Sequence, residues 1–218
     1  MDKNMEETKN EIVALSTNLG EVALDSIISD GIFRDIPLIS TCISIGKVAY
    51  SFSNYRVIKN IIKFINELDI KTEEEVDKFK EEYFKDKDYP KIGEKVYYVL
   101  DKADDEKKIK WLAECFRLFL DKNINLTQFM RLTSIINNAF VSDAEQILIF
   151  DTHKSLTSNN DFIESYVLDH LYSVGLLENQ GFNGGDFSGS NSGTIYGLNL
   201  FGEIFINIIR PTIAIAYH

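Results

Sequence analysis

Three histidines and two cysteines are the side chains best suited to metal or nucleophilic chemistry in this chain, and their spacing argues against both. His153, His170 and His218 are scattered, and Cys42 and Cys115 lie far apart, so no His or Cys set matches a zinc site. Asp151 with His153, and Asp169 with His170, are the nearest approach to acid–base pairs. Adjacent residues on a helix point to different faces, so both are read as surface features. No nucleophile elbow or paired-carboxylate site is present. The glycine tract at 181–193 lacks the lysine and helix-opening spacing of a P-loop and reads as a wing or mobile loop. Asp25, Asp30 and Asp35 do not match a calcium loop and are read as caps or turn residues. The sequence therefore predicts no enzyme, with no catalytic residue, metal or cofactor.

What remains is binding. From Ile36 to Tyr55 the one charge is Lys47, and no acid occurs between Asp35 and Glu67. Four cations, Lys47, Arg56, Lys59 and Lys63, thus gather inside a chain of formal net charge −11. Asp35 and Pro37 suit a helix start, and the stripes Leu38, Cys42, Ile45, Ala49, Phe52 and Ile36, Ile39, Ile43, Tyr50 then cover most of the circumference. A helix apolar nearly all round is buried in protein or in lipid. The next segment is amphipathic, with Ile58, Ile61, Ile62, Ile65 and Leu68 on one face and Arg56, Lys59, Asn60 and Lys63 away from it.

Ile39, Ile43, Lys47, Phe52, Arg56, Lys59 and Lys63 are accordingly the candidate membrane- or partner-binding residues. A permanent span is disfavoured: about 17 helical residues cover roughly 25 Å against a hydrocarbon core of roughly 30 Å, and a central Lys47 costs about 3 kcal/mol. A conditional interfacial element masked in the soluble fold is the leading expectation. The alternative is a pair of core helices whose cations meet the acidic segment at 69–106, in a soluble interaction or regulatory protein. Phe182 and Phe187, in the Gly/Ser/Asn tract, are candidate interaction-loop residues for a protein partner or a second copy.

These residues need positioning elements. With 218 residues, a chain of this kind typically buries roughly 70% of its unfolded surface, so neither cysteine is needed as a staple. Both are read as reduced core residues in a cytoplasmic protein, peripheral at the inner membrane face if the hairpin acts there. Residues 1–10 are polar and partly acidic, without the basic start and apolar run of an export signal. The excess of acid opposes phosphate polyanions.

Periodicity predicts a mostly α protein: a helical domain over 1–124 with the apolar central hairpin at 36–65, then a module over 126–218 holding one small β-hairpin. A first helix over 10–29 weakens near Gly20, and Thr72 with Glu75 boxes a helix in the charged stretch at 69–106, which divides at 88–90. Asp104 or Asp105 caps a helix to Lys122 with Ile109, Leu112, Phe116, Phe119 and Leu120 inward. A weak join is expected at 123–125. Helices follow over 126–141, from a Ser142/Glu145 box to Thr152, and from Asn159 or Asn160 to Gly175. Strands at 176–177 and 194–198 flank the loop, and Asn199 opens a last helix stopped by Pro211.

Three helices, a hairpin and a closing helix resemble a winged-helix module, and LYSVGLLE followed by a loop and IYGLNLFGEIFINII is similar to the end of many bacterial examples. That resemblance covers about 126–210 and implies DNA binding through the third helix and the wing. Charge contradicts the implication: no Lys or Arg occurs from Ser155 to Ile209, while Asp161, Glu164, Asp169, Glu178, Asp186 and Glu203 are all acids. Neutralising phosphates supplies the non-specific affinity on which recognition rests, so no nucleic-acid partner is expected. The N-terminal half also resembles an uncharacterised bacterial family with a DG...DIP...GK segment, here Asp30-Gly31, Asp35-Ile36-Pro37 and Gly46-Lys47. That resemblance implies a phage-defence or abortive-infection effector, some of which are directed at membranes, and it transfers no catalytic residue.

Overall fold

A computed structural model describes residues 54–68, 89–185 and 191–214. Among them, seven α-helices and a small antiparallel sheet make a mostly helical protein. The expected helices at 10–29 and 36–52 and the Thr72/Glu75 box lie outside these residues. The chain divides into two units, Met1–Ile109 and Lys110–His218. That division falls inside a helix and not at 123–125, where a join was expected; the 123–125 turn instead carries the cap of the next helix.

In the first unit, α1 (Asn54–Leu68) packs on α2 (Tyr89–Lys102). Val57, Ile61, Phe64, Ile65 and Leu68 recur at helical spacing and are buried, as are Val96, Tyr97, Leu100 and Ala103. The buried stripe of α1 is thus centred further toward Val57 and Phe64 than the isoleucine pattern suggested, and Ile62 is only half-buried. Asn60, expected to lie away from this face, turns into it. Its amide donates to the carbonyls of Leu100 at 2.8 Å and Ala103 at 3.0 Å, while Arg56 donates to Asp101 O at 2.8 Å. A helix C-terminus leaves such carbonyls without intrahelical partners, so two polar side chains of α1 cap the end of α2.

Helix α3 (Glu106–Leu120) begins where Asp105 accepts the Lys107 amide at 2.7 Å, the expected cap. Ile109, Leu112, Phe116 and Phe119 are buried as expected, and so are Trp111 and Cys115, whereas Leu120, expected inward, is only half-buried and the helix ends there and not at Lys122. In the second unit, α4 (Leu126–Asn138) opens with a reciprocal box in which Asn125 and Gln128 each accept the other's backbone N–H at 2.9 Å. Phe129 of α4 stacks on Phe119 at 4.9 Å and tilts against Phe116 at 5.8 Å.

The Ser142/Glu145 box does not form. Helix α5 (Val141–Glu145) is a short turn capped by Phe140 without a side-chain bond, and the chain tightens into a 3-10 helix over Gln146–Asp151. Strand β1 (Ser155–Thr157), not anticipated, follows. Helix α6 (Ser165–Ser173) starts later than the Asn159/Asn160 cap implied. Asn160 does accept backbone N–H groups, those of Phe162 and Ile163, but its amide also donates to Thr157 O and Ile163 O. These bonds close a local turn that competes with helix. Gly175 ends α6 as expected: φ is +92°, and Leu176 N and Gly175 N donate to Leu171 O and Tyr172 O, a Schellman closure.

Strand β2 (Leu177–Asn183) runs deep into the tract read as loop and pairs with β3 (Gly193–Leu198), which also pairs with β1, giving the order β1-β3-β2. The irregularity between Asn179 and Gly181 is absorbed by Gly181 at φ +124°, whose N–H the Asn179 side chain accepts. Asn199 caps α7 (Leu200–Ala214) by accepting from Phe201 N and Gly202 N. Pro211 does not stop this helix. It sits in the last turn, where it removes one ladder bond, and the Thr212 hydroxyl donates back to Ile209 O. That same hydroxyl accepts from Trp111 Nε1 at 3.1 Å, while the Trp111 ring meets Phe205 edge-on at 5.4 Å.

Candidate interaction surface

Val167, Leu168 and Leu171 of α6 are buried against the rest of the second unit. Helical spacing therefore turns Ser165, Tyr166, Asp169, Tyr172 and Ser173 outward, with Asp169 on the arc between the two tyrosines. Tyr166 is 65% exposed and Tyr172 46%. Asp169 is fixed in place: Tyr196 of β3 donates its hydroxyl to Asp169 Oδ1 at 2.6 Å, and the Tyr172 ring tilts over the Tyr196 ring at 5.6 Å. Burial first, and the Asp169 bond second, push the Tyr196 phenol up to about 12. On the turn entering α6, Phe162 is 59% exposed and lies 4.4 Å from the His153 ring.

The residues that suggested acid–base chemistry go separate ways. Asp169 binds Tyr196, whereas His170 Nδ1 meets Asp143 Oδ2 of α5 at 2.6 Å. Ser142 donates to the other oxygen of Asp143 at 3.2 Å, so its hydroxyl meets the carboxylate and not the imidazole; a nucleophile–base relay requires the reverse. Asp151 pairs with Arg210 at 2.8 Å, while His153 accepts or donates at Thr152 Oγ1, 2.8 Å away. Among the described residues no group of three or more His, Cys, Asp and Glu side chains is placed to hold a metal ion. Burial raises the Cys115 thiol far above its ordinary value, which keeps it protonated and unreactive.

The cationic candidates on α1 have partners within their own unit. Arg56 lies 3.7 Å from the Asp101 carboxylate, and Lys59 and Lys63 both reach Glu106, at 3.4 and 2.5 Å. The two lysines, Lys63 first, hold the Glu106 carboxyl below its usual range. Ile39, Ile43, Lys47, Phe52 and Phe187 lie outside the described residues. Phe182 is on β2, not in a loop, and is 74% exposed. Among the described residues no helix is long and apolar enough to cross a membrane.

The structure thus brings Arg56, Lys59 and Lys63 together on one helix. It also reveals a group that sequence reasoning passed over: Tyr166, Asp169, Tyr172 and Tyr196. The signal the sequence offers for them is the run from Ser155 to Ile209, which carries acids and no Lys or Arg. Compared with protein-family models, curated proteins and solved structures, the chain matches none.

Proposed function

We propose that this chain is a non-enzymatic interaction protein whose Lys110–His218 unit is a winged-helix-type module directed at a protein partner and not at DNA. The order α4, α5, β1, α6, β2, β3, α7, with sheet order β1-β3-β2, supports the winged-helix reading. One observation carries the choice of partner: the outward arc of α6, the element such modules lay in the major groove, presents Tyr166, Asp169 and Tyr172 and no cation. Tyrosines exposed around a fixed polar group have the composition of an interface core, whereas phosphate recognition requires lysine and arginine. The ion pairs of Arg56, Lys59 and Lys63 favour a protein partner over a lipid surface, since these cations already have counter-charges.

Two measurements test this. Gel shifts at low salt with random duplex DNA and RNA should show no complex at micromolar protein, and tight, salt-sensitive binding overturns the reading. Affinity-tagged chain recovered from its source cells should retain a stoichiometric protein, or a second copy, that the Tyr166→Ala/Tyr172→Ala variant loses. Retention unchanged in the variant overturns the assignment to α6.

A further inference from the structure

We propose that the outward arc of α6 docks an arginine-bearing segment of its protein partner, with Asp169 as the central contact and Tyr166 and Tyr172 as its flanking walls. This rests on the protein-binding reading above and adds the chemistry of the occupant.

Charge complementarity gives the sign. Asp161, Glu164, Asp169 and Glu178 are all exposed on or beside α6 and β2, within a run from Ser155 to Ile209 that has no Lys or Arg. Acids thus dominate this stretch, which favours a cationic occupant, and the first cation before it is Lys154, just ahead of β1. The tyrosines give the kind of cation. A guanidinium is planar and weakly hydrated, so it stacks on an aromatic face while its N–H fork engages a carboxylate; an ammonium is a compact, strongly hydrated point charge. Asp169 between two exposed tyrosine rings offers both surfaces within one helical turn.

Preorganisation gives the residue that matters most. The Tyr196 hydroxyl engages only Oδ1 of Asp169, and a carboxylate has acceptor sites on both oxygens. Tyr196 is 6% exposed and lies on the middle strand, so its bond fixes the carboxylate before any partner arrives. A group already fixed in its bound geometry loses less conformational freedom on binding. Tyr196 is therefore a positioning residue, and Asp169, Tyr166 and Tyr172 the contact residues.

The experiment is fluorescence anisotropy of the full chain with labelled nona-arginine and nona-lysine at physiological salt. Nona-arginine should bind about tenfold or more tightly than nona-lysine, because stacking distinguishes the two. Asp169→Asn and Tyr166→Ala should each weaken nona-arginine by roughly 5- to 30-fold, as central contacts do. Glu203→Gln, an equal charge change on α7, should alter binding less than about twofold. Thermal melts accompany each variant, and Tyr166→Ala, which removes only an exposed ring, keeps the test valid if Asp169→Asn unfolds. Equal affinity for the two peptides, or equal losses in Asp169→Asn and Glu203→Gln, would mean attraction by net charge alone and would overturn the proposal. Failure of nona-arginine to bind overturns the arginine assignment but leaves the protein-binding reading standing, because the gel shifts and partner retention test that separately.

Discussion

Tyr196 and Asp169 are joined by a 2.6 Å hydrogen bond that ties the middle strand of the sheet to the outward face of α6. The phenol is buried and donates to a carboxylate on an exposed helix face. One bond thus couples the core of the second unit to the surface proposed to bind. Removing it by Tyr196→Phe should cost about 1 to 2 kcal/mol, less than a fully buried charged bond because Asp169 is exposed. Denaturant midpoints of variant and wild type measure it.

The same pair sets an alkaline pH dependence. The folded chain keeps the Tyr196 proton up to about 12, whereas the unfolded chain loses it near the ordinary tyrosine value of 10.0. Above pH 10 the unfolded state therefore binds fewer protons, and stability falls with rising pH. This contribution is fully present below pH 10 and is lost as pH rises through about 12. Wild type should lose more stability across that window than Tyr196→Phe, in melts followed by far-UV circular dichroism. Parallel slopes would show that the phenol titrates normally.

Gly202 lies in the first turn of α7, where an added Cβ would stand 2.2 Å from the carbonyl oxygen of Leu176 and 2.9 Å from Leu198 Cδ2. A backbone oxygen cannot swing aside. Gly202→Ala should therefore cost about 1 to 3 kcal/mol by forcing α7 off the strand ends. Gly197→Ala is the contrasting case, since its Cβ meets the side chain of exposed Gln180, which can turn away. It should cost clearly less in the same denaturant titration, and equal costs would argue against this close approach of α7 to Leu176.

In α3, Leu112→Ala and Phe116→Ala should each cost about 2 to 5 kcal/mol, as both side chains are buried and Phe116 sits in the ring cluster with Phe119 and Phe129. Unchanged unfolding midpoints would displace the helix from its assigned core. This inward set was legible in the sequence because the apolar spacing of α3 is uninterrupted. The Gly175 and Asn199 caps were legible for a similar reason, since each acts through its own backbone geometry or a neighbour two or three residues away. What sequence could not give depends on distant partners. Strand β1 has one buried residue, Leu156, and exists because β3 supplies Tyr196 opposite it. Asn60 looks solvated until the carbonyls of Leu100 and Ala103 are brought to it. The candidate surface was hidden by side-chain type: Phe162 and Tyr166 count as apolar and read as part of the inward stripe Phe162, Ile163, Tyr166, Val167 and Leu171, whereas the fold buries Ile163, Val167 and Leu171 and leaves Phe162 and Tyr166 exposed, and nothing local announces Tyr196.

The final prediction concerns the cations of α1, where the membrane expectation and the internal pairing give opposite outcomes. Lys59 and Lys63 converge on Glu106, whose carboxyl they hold below its usual range. That pairing is fully present above the ordinary carboxylate value of 4.5 and is lost as pH falls through the lower folded value, so it is in force at neutral pH. The buried stripe of Val57, Ile61, Phe64, Ile65 and Leu68 is committed to the protein interior at the same time. Wild-type chain mixed with phosphatidylserine vesicles at neutral pH and physiological salt should therefore stay in the bottom fraction on flotation. Glu106→Gln removes the shared counter-charge and should raise vesicle binding if these lysines can reach a lipid surface, since each cation near an anionic bilayer contributes about 1 kcal/mol. Lys59→Glu/Lys63→Glu in the Glu106→Gln background should abolish any such gain. Flotation of the wild type itself would show that the pairing does not restrain α1, and would restore the membrane reading over the protein-binding one.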